Sequence, residues 1–280
     1  MTSLKTPLRY PGGKSRAVTK MLQFLPSLED YTEYREPFLG GGSFAIWMTQ
    51  RYPFMNIWVN DLYEPLYNFW CEVRDNGQKM RDELIQLKYR HPEPASAKQL
   101  FLEAKEYLTY EGRKSEPFHR AVSYYIVNKC SFSGLTESSS FSAQASESNF
   151  SMRGIDKLPG YQQIVKDWKI TNLSYEELLT DDKSVFTYHD PPYDIKDNLY
   201  GRKGNMHKKF DHDKFALDCD RFIGHQMVSY NSTQLIRDRF EGWNAQEYDL
   251  TYTMRSVGDY MKNQQDRKEL LLMNYELSWN

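Results

Sequence analysis

The sequence predicts an α/β protein, with a Rossmann-like and mainly parallel sheet interrupted by an inserted, mostly helical segment. Three observations carry this. Short strand-like runs alternate with helix-like runs at both ends of the chain, the pattern of a parallel sheet covered on both faces. A glycine-rich turn, Gly40-Gly41-Gly42, stands between a strand and a helix. From residue 71 to residue 163 the alternation gives way to helical spacing and then to a polar stretch. The expected organisation is a discontinuous sheet domain, 1–70 and 164–280, with 71–163 inserted.

In chain order, Glu33 to Phe38 and Asn56 to Asn60 read as strands, each followed by a helix. Arg81 to Tyr89 and Ala95 to Tyr110 read as helices, because Leu84, Ile85, Leu87 and then Leu100, Phe101, Ala104, Tyr107, Leu108 fall on one face of each. His91-Pro92-Glu93-Pro94 separates them. Phe118 to Lys129 is a third helix. Ser131 to Ser151 is rich in Ser, Phe and Glu, too polar for a core element, and reads as an exposed loop or hairpin. Trp168 to Leu173 is a strand and Tyr175 to Leu179 a short helix. Ser184 to His189 is a strand running straight into Asp190. Asp213 to Ile223 is a helix with Asp211 or His212 near its start. Gln226 to Tyr230 is a strand, and Ser232 caps a helix ending at Phe240. Ala245 to Thr253 and Glu269 to Leu277 are the last strands.

With 280 residues, 40% hydrophobic and 15% aromatic, the chain has material for a full core without a staple. No apolar run approaches the ~20 residues of a membrane span, and Met1 to Lys14 holds no apolar leader, so no membrane association is expected. The cysteines Cys71, Cys130 and Cys219 stand far apart, and the histidines lack ligand spacing. Neither a disulfide scaffold nor a metal site is expected, and a reducing, cytoplasmic setting fits. The net charge of −2 means that any nucleic-acid surface must be local.

Four segments carry chemistry. Glu36-Pro-Phe-Leu-Gly-Gly-Gly-Ser43 leaves backbone amides near a helix N-terminus, though a tight strand–helix turn explains it equally well. Asp61 ends the second strand, where doubly wound folds hold ribose hydroxyls; the plainer reading is a helix cap, completed as a capping box by Glu64. Leu8 to Ser15 ends in Gly-Lys-Ser but is no phosphate loop, because Leu8 stands where the motif needs glycine and no strand precedes it. Lys14 beside Tyr10 remains a candidate for touching a ligand carboxylate. Asp190-Pro-Pro-Tyr193 is the strongest signal. It sits where a buried strand ends; its prolines remove two donors, so that the Pro191 carbonyl and the Asp190 carboxylate can accept from one group beside the Tyr193 ring. That set suits a planar ring bearing an exocyclic amine.

Taken together, these segments resemble the DNA adenine methyltransferase (Dam) family, enzymes that methylate adenine N6 with S-adenosylmethionine. Tyr10-Pro-Gly-Gly-Lys14, the Glu36–Ser43 loop, Asn60-Asp-Leu-Tyr-Glu-Pro65, Asp190-Pro-Pro-Tyr193, and Tyr252-Thr-Met-Arg-Ser256 with Glu269-Leu-Leu271 are similar to the family's motifs, in order over nearly the whole chain. The resemblance implies a seven-stranded sheet with one antiparallel strand and a target-recognition domain as the insertion. It places Tyr10, Lys14, Phe38, Gly40, Gly42, Asp61 and Asp190 around S-adenosylmethionine. Asp190, Pro191, Pro192 and Tyr193 become catalytic, and double-stranded DNA the partner, with its adenine flipped out onto Tyr193. Tyr193 is expected to matter through its ring, its hydroxyl being dispensable. A bacterial or bacteriophage source and a cognate restriction endonuclease would fit; oligomeric state stays open.

Asn128-Lys-Cys-Ser-Phe-Ser-Gly-Leu135 resembles the start of the family's recognition hairpin, so Asn128, Lys129, Phe132, Gly134 and Leu135 are expected at DNA. The family then commonly shows Arg, whereas Glu137 and Ser139 stand here. An acidic residue accepts from cytosine N4 and cannot make the bidentate Arg–guanine contact, so a target other than GATC, or one relaxed at one base, is expected. Lys208 and Lys209, with Lys196, Arg202, Lys203 and His207, follow the Asp-Pro-Pro-Tyr motif and could hold phosphates. Competing readings keep the fold and change the acceptor to cytosine N4, RNA adenine or a protein amide, or make the chain a catalytically silent DNA-binding relative. Asp190 speaks against cytosine N4 and a protein amide; intact Lys14, Asp61 and Asp190-Pro-Pro-Tyr193 speak against the silent relative.

Overall fold

The computed structural model describes residues 4–10, 14, 17–110, 116–132, 139–193, 210–249 and 268–277. Its centre is a seven-stranded sheet in the order β3-β2-β1-β4-β5-β7-β6. The strands are β1 (Glu33–Glu36), β2 (Asn56–Asn60), β3 (Lys169–Thr171), β4 (Val185–His189), β5 (His225–Asn231), β6 (Asn244–Asp249) and β7 (Lys268–Met273). β1 pairs in parallel with both β2 and β4, so the chain reverses its direction of winding there, the kind of switch point at whose carboxyl edge α/β sheets hold their ligands. β4 is buried at all five positions, as a central strand covered on both faces must be. β7 runs antiparallel between β5 and β6. Its direction has a consequence for the site. The pair Asn231↔Glu269 puts the first residues of β7 at the carboxyl edge, where every parallel strand ends.

Two apolar cores flank the sheet. The larger gathers Tyr34, Phe44, Tyr188 and the helices of the insertion; the smaller gathers Phe215, Tyr230, Phe240 and Leu270 under the helices His212–Asp220 and Gln234–Arg239. α2 (Ser43–Arg51) follows β1, and α3 (Glu64–Arg90) follows β2. The domain boundary expected at residue 70 therefore falls inside α3, whose first half carries Trp70 against the glycine loop. The helix expected at Arg81 to Tyr89 is its second half. The halves meet at a kink, where Asn76 leaves helical angles (φ −132, ψ 22). Gln162 from α8 (Leu158–Val165) fills the break: its side chain accepts from the Gln78 amide at 3.0 Å and donates to the Arg74 carbonyl at 3.2 Å. A π-less kink of this kind needs such a replacement partner for the lost ladder bonds.

α4 (Pro94–Thr109) and α5 (Pro117–Cys130) complete the insertion, each opening on a proline whose missing N–H costs nothing there. The stretch expected as loop or hairpin from Ser131 holds a short helix, α6 (Ala143–Ser148), capped by Ser142, and a single antiparallel bridge, Ser131↔Phe141. Ser142 accepts from Ala145 N and so supplies the cap that lets a polar run turn helical. Thr233, not Ser232, caps the helix Gln234–Arg239, its hydroxyl accepting from Ile236 N; Ser232 instead donates to Glu247. Asp211 caps the preceding helix through Lys214 N.

An ion pair helps to tie the insertion to the sheet domain. Arg120 of α5, 3% exposed, donates two hydrogen bonds, 2.7 and 2.6 Å, to Glu64 in the first turn of α3. Losing the carboxylate strands a buried guanidinium, whereas losing the arginine leaves Glu64, 40% exposed, free to be solvated. Glu64→Ala is therefore expected to cost about 2–3 kcal/mol and Arg120→Met distinctly less, read as shifts in urea midpoint at constant m; equal costs would show that the pair is not asymmetric.

Candidate active site

At the carboxyl edge, β1 ends in Glu36, which is buried at 3% exposure. Its carboxyl accepts from the Tyr34 hydroxyl at 2.7 Å and from the Ala45 amide in the first turn of α2. Burial pushes the Glu36 carboxyl well above the usual carboxylate range, against the pull of the Tyr34 bond, and the nearby Asp190 adds to the rise.

The glycine loop follows. Gly40 and Gly42 hold φ values of +50 and +66, the left-handed region where a side chain is strained. Space is also lacking: a Cβ on Gly42 would lie 2.7 Å from Trp70 Cζ2, and one on Gly40 2.8 Å from Tyr10 Cε1. Trp70 Nε1 donates to the Gly40 carbonyl at 3.1 Å, and the Thr6 hydroxyl donates to the Gly41 carbonyl. The loop is thus held from both sides, by α3 and by the N-terminal segment. Phe38 packs instead in the smaller core, its ring stacked on Tyr175 (5.8 Å, 27°) and edge-on to Phe210 and Phe215.

Asp61 does not form the capping box. α3 begins after Tyr63, and the Asp61 carboxylate is shared between two loops: Oδ2 accepts from Gly40 N and Oδ1 from Tyr63 N, both at 2.9 Å. Burial raises its pKa to about 6 despite these two amides. Each oxygen keeps acceptor capacity beyond its amide.

Asp190 and Tyr193 meet Lys14 here. Lys14, 5% exposed, places Nζ 2.8 Å from Asp190 Oδ1 and donates to the Tyr193 hydroxyl at 2.7 Å, with Glu269 Oε2 at 3.9 Å. The Tyr193 hydroxyl in turn donates to Glu269, which is 2% exposed. Burial alone would lower the ammonium pKa; Asp190 and Glu269 outweigh it, and the net shift is upward. On its other side Asp190 Oδ1 accepts from the buried Ser229 hydroxyl at 2.7 Å, itself 2.9 Å from the Tyr188 hydroxyl. Oδ1 is therefore fixed by two donors, and Oδ2 has no partner among the described residues. The hydroxyl of Tyr193, expected to be dispensable, is a link in this chain. His189 next door takes no part: burial holds its pKa down at about 3, and its Nε2 lies 3.1 Å from Gln226 Oε1.

The sequence thus led to Lys14, Asp61, Asp190 and Tyr193, and missed Glu36, Ser229 and the pairing of Glu269 with Tyr193. Among the residues expected at DNA, Phe132 is exposed at 54%. Asn128 requires a correction: it is fully buried, and both ends of its amide bind the Arg9 backbone, at 2.9 and 2.7 Å. It ties α5 to the N-terminal segment. The Arg9 guanidinium extends that tie, donating to the carbonyls of Ser131 and Phe132 at 2.6 and 3.0 Å. Lys129 is half-buried over the Tyr125 ring, and burial, then Arg9 and Lys157, lower its pKa to about 8. Gly134, Leu135, Glu137, Lys208 and Lys209 lie outside the described residues.

A sheet switch point, an acidic strand tip and a strand-end Asp-Pro-Pro-Tyr agree with what whole-chain comparison finds. The model of the D12 class N6 adenine-specific DNA methyltransferase family matches residues 10–254. The chain belongs to this family. As a D12-class chain it is similar, at 23% identity over 97% of its length and 99% of the relative's, to the type II methyltransferase M.MjaIII of Methanocaldococcus jannaschii. It is 22% identical to the type II methyltransferase M1.LlaDCHI of Lactococcus lactis subsp. cremoris, covering 98% and 96% of the two chains. The family match begins at Tyr10, the residue whose ring lies over Gly40. The D12-class chain is thus a DNA methyltransferase with its glycine loop, acidic strand tip and Asp-Pro-Pro-Tyr segment at one sheet edge.

The loop geometry makes a direct prediction. Gly42→Ala adds strain from φ +66 to a clash with Trp70. It should destabilise the protein by about 2–4 kcal/mol, summing a left-handed penalty and overpacking, as measured by thermal or urea unfolding. A neutral Gly42→Ala would show that the loop can relax away from Trp70.

Proposed function

We propose that the protein transfers the methyl group of S-adenosylmethionine to N6 of an adenine turned out of duplex DNA. The observation that carries this reading is the state of Asp190: Oδ1 is pinned by Lys14 and Ser229, Oδ2 has no partner among the described residues, and the same Lys14 binds the Tyr193 hydroxyl. The N6 lone pair of adenine is delocalised into its ring and is a weak nucleophile. Accepting its hydrogens at Asp190 Oδ2 and the Pro191 carbonyl draws the nitrogen toward a tetrahedral form whose lone pair faces the methyl. S-adenosylmethionine, when bound, would supply the electrophilic methyl and leave as the thioether, and the nitrogen would lose one proton to solvent. Such a site works by position and fixed dipoles more than by proton transfer.

Asp61 fits the cofactor's ribose. A carboxylate has about four acceptor positions; Gly40 and Tyr63 use two, leaving two for a pair of vicinal hydroxyls. The left-handed turns of Gly40 and Gly42 keep side chains off the loop that would face the methionine part, with Tyr10 closing over it. DNA would lie across the insertion, near exposed Phe132 and half-buried Lys129, with Lys208, Lys209 and the residues around Glu137 as further contacts. Glu137 in place of Arg favours a target other than GATC, or one relaxed at one base, and the type II names of both relatives suit a partner endonuclease.

Two measurements test the reading. Asp190→Ala should bind cofactor and DNA yet lose transfer by on the order of 10²–10³ in a single turnover, the scale of one preorganised acceptor; a folded variant methylating adenine at the normal rate would overturn the proposal. For Asp61 the sign is set by its raised pKa of about 6. Ribose hydroxyls donate to the ionised form, so cofactor affinity should rise with pH up to about 6 and level off above it, dropping about tenfold per pH unit well below. Calorimetric titration from acid to neutral pH reads this directly, and Asp61→Asn should bind weakly with that dependence gone.

A further inference from the structure

We propose that Glu269 is a positioning residue for methyl transfer, holding the Tyr193 ring and the Lys14 ammonium in the places from which they orient the flipped base and Asp190. The proposal rests on the reading above and goes beyond it, since nothing in the methylation chemistry itself calls for a carboxylate at this point. Three observations support it. Glu269 is 2% exposed, yet it faces the site because β7 runs antiparallel and starts at the carboxyl edge, opposite Asn231. It accepts the hydrogen bond that the Tyr193 hydroxyl donates, while that hydroxyl accepts from Lys14 at 2.7 Å. It lies 3.9 Å from Lys14 Nζ, which is 2.8 Å from Asp190.

The geometry makes Glu269 the far end of a relay: Glu269, Tyr193 hydroxyl, Lys14, Asp190 Oδ1. An aromatic ring hung on its Cβ can swing about χ1. Bonds at its hydroxyl tip hold that swing, and Tyr230, packed 5.9 Å away, confines the ring plane, so the stacking face is set before a base arrives. Lys14 gains a second counter-charge from the buried Glu269, so that two carboxylates face one ammonium and Oδ1 of Asp190 stays turned toward it. Glu269 touches neither substrate nor cofactor in this scheme and acts only through its neighbours.

The test is a double-mutant cycle read by single-turnover transfer at saturating cofactor, on a duplex carrying the mapped target adenine. The same duplex with 2-aminopurine at that position reads base capture. Glu269→Leu and Tyr193→Phe should each slow transfer about tenfold, the scale of one charge-assisted hydrogen bond, and weaken the 2-aminopurine signal, with cofactor affinity changed less than about twofold. Because both cut one link, the double variant should be no slower than the slower single one. Glu269→Gln, which keeps an acceptor for the hydroxyl, should recover most of the rate. A folded Glu269→Leu at the wild-type rate, or effects that multiply to about a hundredfold, would overturn the proposal. If Glu269→Leu does not fold, Tyr193→Phe decides alone: the ring remains and the link is cut, so a wild-type rate and base signal refute the relay and a tenfold loss upholds it. Failure of the functional reading looks different, since the unmodified protein would then methylate no adenine at all.

Discussion

The site depends on one buried cation. Lys14 stands at 5% exposure within reach of Asp190 and Glu269, and Glu36 contributes to its field. Bringing several carboxyls to one dry sheet edge is unfavourable unless something offsets their mutual repulsion and desolvation. Lys14 does so for Asp190 and Glu269. Glu36 takes the other route, its pKa raised by burial and its oxygens met by Tyr34 and the first turn of α2. Without the ammonium, the motif that ends β4 would lie beside an uncompensated buried carboxylate.

The same short N-terminal segment that delivers Lys14 does three other jobs. Thr6 binds the Gly41 carbonyl, Tyr10 covers Gly40, and Arg9 is gripped by Asn128 while gripping Ser131 and Phe132. Glycine loop, insertion and Asp190 are therefore joined through about ten residues that contribute no strand to the sheet. A shift of α5 against the sheet would be felt at Lys14 through covalent neighbours, a physical link between the part of the chain expected to meet DNA and the part that holds Asp190.

Much of this was legible in the sequence, and the limits have physical causes. A strand pattern that runs into Asp190, or into Asp61, places those side chains at a parallel sheet's carboxyl edge, because all parallel strands end on the same side. Strand periodicity carries no direction, so nothing in Lys268–Met273 says that β7 is reversed and begins, not ends, at the site; Glu269 was quoted in a motif while its partner stayed hidden. The helix over residues 81–89 is legible but its continuity with Glu64 is not, since a kink at Asn76 repaired by Gln162, 84 positions beyond its partner Gln78, leaves no local trace. Asn128 illustrates the opposite error: a polar residue beside a recognition-like segment looked exposed, and its partners are backbone atoms of Arg9. Ser232 and Thr233 are both competent caps, and register against β6, through Glu247, decides between them.

Tyr193 shows how the levels combine. Its ring follows from the motif, and its hydroxyl from the fold, because only the antiparallel strand puts a carboxylate opposite it. A phenol that accepts from an ammonium and donates to a carboxylate is committed at both ends, so it offers the bound base a face and no competing donor. Asp190 is committed in the same manner at Oδ1, by Lys14 and Ser229, and open only at Oδ2. On the proposed reading, a ring oxygen brought to Oδ2 and the Pro191 carbonyl would meet only acceptors and would leave them desolvated and unpaired, so an amine would be favoured over a carbonyl edge.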